Sequence, residues 1–237
     1  MSSLLVAWAA IFGAAAGAFV PRIAHRLAVA FGNPPRSACA DCAARFPDGP
    51  AGWVRAGAAC RCGNAPWLTV LAGAVAGGLL GRAFGAIPLL PVALLAAVLG
   101  LLLAVIDMRC LRLPDPLVGA LAVVTVVPLT AAAAVSGDPA RFGRAVLVAA
   151  LSSAAYLLIG IGSDGGLGLG DVKLAGVLGF VLGFAGWPAV VAGLALPHVI
   201  NGPIALCLLA SGRAGRDRAL PLGPALLAGT LLAVTTV

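Results

Sequence analysis

The sequence predicts an all-α, polytopic membrane protein with about eight transmembrane helices and one polar insertion after the first helix. Three observations favour this fold class. Hydrophobic residues make up 62% of the 237 residues and charged residues only 10%, against roughly 25% charged residues in soluble domains. Apolar runs recur at lengths that cross a bilayer. The mean hydropathy of +1.10 indicates that spans account for most of the chain.

The simplest partition is one membrane domain over residues 1–237, with residues 21–66 as a cytoplasmic insertion. The predicted spans, in chain order, are Leu4–Val20, Trp67–Leu80, Ile87–Ile106, Leu117–Val135, Ala145–Ile161, two spans within Val172–Ala210, and Leu220–Val237. As one helix, Val172–Ala210 would reach roughly 58 Å, about twice the hydrocarbon core. This segment must therefore turn once, and Gly183–Pro188 holds the turn residues. Polar turns are expected at residues 136–144 and a glycine-rich loop at residues 162–171.

The positive charges predict the orientation. If the insertion is cytoplasmic, that face collects twelve of the fifteen Lys and Arg residues, as the positive-inside rule favours. Both Asp107 and Asp171 then lie at the cytoplasmic boundary. The net charge of +7 is explained by the positive-inside effect, in which Lys and Arg residues collect at the cytoplasmic surface of the membrane lipid. Because no basic run is interleaved with aromatic residues, no nucleic-acid partner is expected.

Two carboxylates stand out as candidate catalytic groups. Asp107 ends an apolar run, and Asp171 follows a glycine-rich segment that includes Gly168 and Gly170. One Asp at mid-bilayer costs roughly 2.5–3.5 kcal/mol on insertion scales, so such a residue is a functional candidate. Two spans separate the pair, and an even number of crossings returns the chain to the same face. The glycines would let an extended substrate strand lie close to the carboxylate.

Two neighbouring carboxylates cannot both ionise easily, so one stays protonated and the pair titrates as a unit. The ionised member can take a proton from water while the other donates to a peptide carbonyl oxygen. This chemistry hydrolyses a peptide without a metal or a covalent intermediate. Spacing alone leaves other interpretations open. The same residues can be helix caps, ion-pair partners of Arg109 and Lys173, or the carboxylates of a small proton-coupled transporter.

Three motifs resemble those of the type IV prepilin peptidase family, which are membrane aspartic proteases of the GxGD type. The segment Asp107–Asp115 resembles the first active-site segment, an Asp followed by Leu-Pro-Asp. The run Gly165–Lys173 resembles the Gly-x-Gly-Asp-Val-Lys signature. The stretch Leu220–Pro224 resembles the Pro-x-Gly-Pro element that opens the last helix of the family. The motifs follow the order of the family and cover most of the chain.

The resemblance implies an aspartic endopeptidase of the inner membrane that removes the leader of type IV prepilins or pseudopilins, in pilus assembly or type II secretion. Asp107 and Asp171 would form the catalytic pair, facing the cytoplasm. The supporting or substrate-contacting residues would be Asp115, Lys173, Gly168 and Gly170. Because Lys173 lies two residues past Asp171, a regular helix does not put both on one face. Lys173 is therefore expected to meet another segment or lipid headgroups.

The insertion holds four thiols at Cys39, Cys42, Cys60 and Cys62. Two cysteine pairs favour a tetrathiolate zinc site, although the second pair is spaced more tightly than usual. A structural zinc ion is the expectation, with four reduced thiols as the alternative. The resemblance links this loop with N-methylation of the mature pilin end by S-adenosylmethionine. That activity stays open, because Pro21 replaces the Asn of the family segment and proteolysis itself needs no cofactor.

Overall fold

A computed structural model describes residues 3–30, 32–60, 66–162, 168–210 and 221–236. Within these residues the protein is almost entirely helical and contains no strand. The helices in chain order are α1 (Ser3–Gly17), α2 (Val20–Leu27), α3 (Pro50–Trp53), α4 (Trp67–Phe84), α5 (Leu90–Cys110), α6 (Asp115–Ser136), α7 (Pro139–Gly162), α8 (Leu169–Ala185), α9 (Trp187–Ala210) and α10 (Gly223–Thr236). The predicted all-α class is confirmed.

Five segments of the described chain are long and apolar enough to cross a membrane, and they correspond to α1 with α2, α4, α5, α6 and α7. Helix α10 is apolar but shorter. Helices α8 and α9 occupy the predicted sixth and seventh spans, and Gly186 joins them with a φ of 137°. The predicted turn within residues 183–188 is therefore confirmed. These helices indicate a multi-pass membrane protein, whereas the total of eight spans stays a prediction.

The chain divides into two compact units, Met1–Arg112 and Leu113–Val237. In the first unit α1 packs along α4, and α2 packs against α5. A side chain at Gly13 would collide with the carbonyl group of Gly73, and one at Gly77 would collide with the carbonyl of Ala9. Small residues let apolar helices approach closely in a membrane, where packing rather than the hydrophobic effect drives association.

In the second unit α7 packs along α8, and α9 packs along α10. Two arginines of α7 hold the last turn of α8. The Nε atom of Arg144 donates to the Gly183 carbonyl at 2.7 Å, and the Nε atom of Arg141 donates to the Phe184 carbonyl at 2.9 Å. Cations satisfy the open carbonyls at a helix end and complement its dipole.

The polar turn predicted over residues 136–144 is wrong beyond Asp138, because α7 begins at Pro139. Asp138 accepts a hydrogen bond from the Arg141 amide through Oδ1 at 2.9 Å. An acidic cap followed by Pro at the first helical position is a favoured helix start. The helix therefore extends one and a half turns beyond the predicted apolar span, and it places both arginines beside α8.

Candidate active site

Asp107 lies in the last turn of α5, and only 3% of its surface is exposed. The helix ends at Leu111, which adopts a left-handed conformation with a φ of 52°. The Leu111 amide donates to the Asp107 carbonyl oxygen at 2.8 Å. Leu103 and Ile106 are fully buried on the preceding turn. The carboxylate therefore belongs to the core of its unit, at the helix end that the sequence predicted.

Polar contacts join the last turn of α5 to α2 and to the insertion. Arg112 donates through Nη1 to the Val29 carbonyl at 3.3 Å. Nη1 of Arg109 lies 3.4 Å from Nδ1 of His25. The other ring nitrogen of His25 lies 3.3 Å from the Ala40 amide. His25 is buried, with 7% of its surface exposed, and it lies between the insertion and the turn that carries Asp107.

The insertion folds back on itself in a segment that we name the cysteine knuckle, Ser37–Phe46. Ala38 and Arg45 form an antiparallel bridge, and the Phe46 amide donates to the Ser37 carbonyl at 2.9 Å. The chain reverses at Ala43, which has a φ of 56° and donates its amide to the Cys39 carbonyl at 3.1 Å. This geometry places Cys39 and Cys42 on one tight turn.

Three of the predicted metal ligands come together. The sulfur atoms of Cys39, Cys42 and Cys60 all lie within 4.8 Å of one another, and those of Cys42 and Cys60 are 3.2 Å apart. A tetrahedral site with zinc–sulfur bonds of about 2.3 Å needs sulfurs roughly 3.8 Å apart. The donor set therefore suits zinc. The fourth predicted ligand, Cys62, lies outside the described residues.

Aromatic rings of the insertion cover the guanidinium groups of two arginines of α2. The Arg22 guanidinium lies 4.4 Å from the ring centre of Phe46, and the Arg26 guanidinium lies 3.9 Å from that of Trp53. Such cation–π contacts stabilise a desolvated guanidinium. Only 2% of Arg22 is exposed. The polar stretch predicted from Pro21 onward therefore begins as a buried helix rather than as a loop.

Asp171 lies in the first turn of α8 and is half-buried. Its amide donates to the Gly168 carbonyl at 3.0 Å. A Cβ atom at Gly170 would lie 2.9 Å from Leu113 Cβ and 3.3 Å from the Leu113 carbonyl oxygen. Only glycine therefore lets the start of α8 lie this close to Leu113. The predicted glycine-rich loop is shorter than expected, because α8 begins two residues before Asp171; residues 163–167 lie outside the described chain.

Lys173 contacts another segment, as its spacing from Asp171 suggested. Its Nζ atom lies 2.7 Å from Oδ1 of Asp115, at the start of α6. The two side chains are 52% and 60% exposed. An exposed ion pair contributes about 0–1 kcal/mol to stability. The pair therefore fixes the local arrangement of α6 and α8 more than it stabilises the fold.

Tyr156 on α7 is a residue that the sequence analysis missed. It is 4% exposed, and its hydroxyl group is buried with no hydrogen-bond partner among the described residues. The Asp171 carboxylate acts electrostatically on this hydroxyl group. The available signal was compositional, since this residue is the only tyrosine in the chain. His25 was also not singled out, because it belongs to no motif with a defined spacing.

Asp107 stands in the first unit and Asp171 in the second. A comparison with protein families finds a match to the model of the type IV leader peptidase family over residues 93–211, roughly half of the chain. The matched stretch contains both carboxylates together with Asp115 and Lys173. No curated protein and no solved structure matches the chain.

Proposed function

The chain belongs to the type IV leader peptidase family, and from that premise we propose a membrane aspartic endopeptidase that removes the leader of type IV prepilins or pseudopilins. Cleavage would take place at the cytoplasmic face of the inner membrane, in keeping with the positive-inside rule. The observation that carries the proposal is that the family match spans both Asp107 and Asp171. Each of these carboxylates stands at a helix end of an apolar chain.

We assign different roles to the two carboxylates in this proposal. Asp171 stands in the first turn of α8, where the helix dipole favours a negative charge. It is the ionised member and takes a proton from the attacking water. Asp107 is buried in the last turn of α5, where a negative charge is opposed. It is the protonated member and donates to the peptide carbonyl oxygen.

The reaction is then a general acid–base hydrolysis. The water oxygen bonds to the carbonyl carbon while its proton passes to Asp171 and the proton of Asp107 passes to the carbonyl oxygen. The resulting diol intermediate returns a hydroxyl proton to Asp107. Asp171 gives its proton to the departing amine nitrogen as the carbon–nitrogen bond breaks. Both carboxyl groups end in their starting states, and the chain uses no metal for these steps.

The substrate class follows from the setting of the site. As the family implies, a prepilin-like protein has a short basic leader followed by a hydrophobic helix. The helix remains in the bilayer while the leader reaches the cytoplasmic interface. A carboxylate pair at that boundary would meet the junction between leader and helix, where the cut is made.

A structural zinc ion in the insertion is part of the proposal. Cys39, Cys42 and Cys60 supply three sulfur ligands, and we expect Cys62 to supply the fourth. When bound, zinc would hold the insertion together rather than act on the peptide bond, because structural zinc sites are closed by four protein ligands. The proposal does not extend to N-methylation, since the described residues give no support for S-adenosylmethionine binding.

The deciding experiment is co-expression with a prepilin-like substrate and gel analysis of the shortened product. Asp107→Asn and Asp171→Asn preserve side-chain shape and should each abolish cleavage, by more than about 1,000-fold, because a general acid or base alone contributes 10²–10⁴-fold. The control is Asp48→Asn, an exposed acid of the insertion, which should cleave normally.

Wild-type cleavage by both site variants would refute the assignment of the pair. The transporter alternative gives a different pattern. It predicts no shortened product from the wild-type protein, and proton uptake into vesicles that is lost in Asp107→Asn and Asp171→Asn.

A further inference from the structure

We infer that His25 is a positioning residue that couples the cysteine knuckle to the turn of α5 that carries Asp107. Only one nitrogen of its neutral ring can accept a hydrogen bond at a time, yet the Ala40 amide faces Nε2 and the Arg109 guanidinium faces Nδ1. The inference rests on the proposed function for the role of Asp107 and for metal binding by the thiols. Its geometry lies entirely within the first unit.

The ring of His25 is held from several sides. Nε2 lies 3.3 Å from the Ala40 amide nitrogen, and Nδ1 lies 3.4 Å from Nη1 of Arg109. The ring meets Phe46 edge-on, with centroids 5.9 Å apart and an interplanar angle of 88°. The carbonyl of His25 accepts from Nη1 of Arg36 at 3.1 Å. Only 7% of the residue is exposed, so the ring itself is largely shielded from water.

Hydrogen-bond chemistry makes the two ring contacts compete. A backbone amide and a guanidinium are donors only, so both contacts require His25 to accept. A neutral imidazole has one acceptor nitrogen and one N–H group, and a protonated ring has no acceptor. At any moment His25 therefore bonds either Ala40 or Arg109. Both distances are at the long end of the hydrogen-bond range, as expected when only one of the two contacts can be a hydrogen bond at a time.

The competition links two ends of the unit. Ala40 lies between Cys39 and Cys42, so a metal bound to these thiols fixes its amide and favours an acceptor at Nε2. Arg109, two residues past Asp107, then loses its contact with the ring. Linkage is reciprocal. When Nδ1 of His25 accepts from Arg109, the Ala40 amide loses its acceptor and metal binding by the cysteine knuckle must weaken. When metal binds, the Arg109 contact is lost and the end of α5 must loosen.

Two substitutions at His25 separate these contacts. Gln places an acceptor near the position of Nε2 and keeps the Ala40 contact, whereas Asn places one near Nδ1 and keeps the Arg109 contact. Arg109→Met removes the competing donor. The measurement is Zn²⁺ affinity of the full-length protein in detergent, by competition with a chromophoric chelator. Arg82→Met is the control, because Arg82 is an exposed arginine on the last turn of α4.

We expect His25→Asn to weaken Zn²⁺ binding about 10-fold, at the lower end of the range for residues that orient metal ligands. His25→Gln and Arg109→Met should bind Zn²⁺ a few-fold more tightly than the wild type, and Arg82→Met should match it. Equal affinities for the two His25 variants, or affinity in Arg109→Met no higher than in the wild type, would overturn the inference. If His25 had only a structural role, binding would weaken in both His25 variants and stay at the wild-type value in Arg109→Met.

Hydrogen exchange gives a second readout that needs no cleavage assay. Adding Zn²⁺ should speed exchange of the peptide containing Leu111 in the wild type but not in Arg109→Met. Unchanged wild-type exchange would also overturn the inference. Should His25→Asn fail to fold, Arg109→Met decides by both measurements, since that side chain is exposed. Loss of these effects leaves the catalytic assignment intact, because that assignment fails only in the Asp107→Asn and Asp171→Asn cleavage assay.

Discussion

Asp107 ends one helix and Asp171 begins another, and the two helix ends are built differently. Asp107 is buried in the core of its unit, where Arg109 contacts His25 of α2 and Arg112 donates to the Val29 carbonyl just after α2. Asp171 is half-buried, and its turn is placed by close backbone contact between Gly170 and Leu113. The position of Asp107 thus depends on polar side chains around it, whereas the position of Asp171 depends on the missing side chain of Gly170.

The difference teaches where each half of the proposed site is vulnerable. Polar contacts at α5 can be exchanged for other polar contacts, so their loss should weaken the site by degrees. The contact at α8 leaves no space for a methyl group, so a single added carbon should displace the carboxylate. Substitutions in the two regions should accordingly differ in size as well as in kind.

Apart from substitutions of the two carboxylates themselves, the largest effect is expected for Gly170→Ala. Its Cβ atom would lie 2.9 Å from Leu113 Cβ, which forces the start of α8 away and displaces Asp171. A displacement of about 1 Å can cost roughly 100-fold in rate, so the initial rate of prepilin cleavage should fall by that factor. The matched control is Gly119→Ala on α6, where the new atom meets nothing within 4 Å and cleavage should stay within about threefold of the wild-type rate. Equal rates for the two variants would show that the backbone contact does not position Asp171.

A smaller effect is expected when the cysteine knuckle is damaged. Cys39→Ser should reduce bound zinc from about one ion per chain to nearly none, because Cys39 is a buried member of the three-sulfur set. Cleavage should fall about tenfold, as is typical when groups that support a site are lost. Elemental analysis and the gel assay measure the two effects. Cys110→Ser removes a thiol outside the set and should retain zinc; zinc loss in both variants, or in neither, would contradict the assignment.

The smallest effect is expected for the ion pair between Lys173 and Asp115. Both side chains are more than half exposed, so Lys173→Met and Asp115→Asn should each change the free energy of unfolding by less than about 1 kcal/mol. Cleavage should fall by less than tenfold. A double-mutant cycle in cleavage rate and in thermal unfolding measures their coupling. A far larger loss of cleavage in Lys173→Met alone would show that Lys173 acts on the substrate directly.

The composition and the lengths of the apolar runs were enough to predict the all-α class and several helix ends. The end of α5 near Asp107 and the turn at Gly186 follow from where apolar runs stop and from glycine placement. Helix α2 could not be predicted, because Arg22 is buried by the ring of Phe46, more than twenty residues later in the chain. The sequence shows that Arg22 is charged, but it does not show which distant ring will bury it.

The same division holds for the candidate site. Both carboxylates and the cysteines belong to spacing patterns, so they were found before the fold was known. His25 has no pattern, and its significance comes from donors on either side that lie 15 and 84 positions away in the chain. Residues whose role depends on neighbours distant in sequence become visible only when the fold brings those neighbours together.

Tyr156 has a practical consequence as the only tyrosine among 237 residues. In protein grown with tyrosine labelled only at the two ring carbons next to the hydroxyl group, the ring signal in a magnetic resonance spectrum would come from this residue alone, with no assignment needed. Because the Asp171 carboxylate acts electrostatically on the Tyr156 hydroxyl group, that signal would respond to the charge of Asp171. The chain thus carries its own single-site reporter, already in place without an added probe.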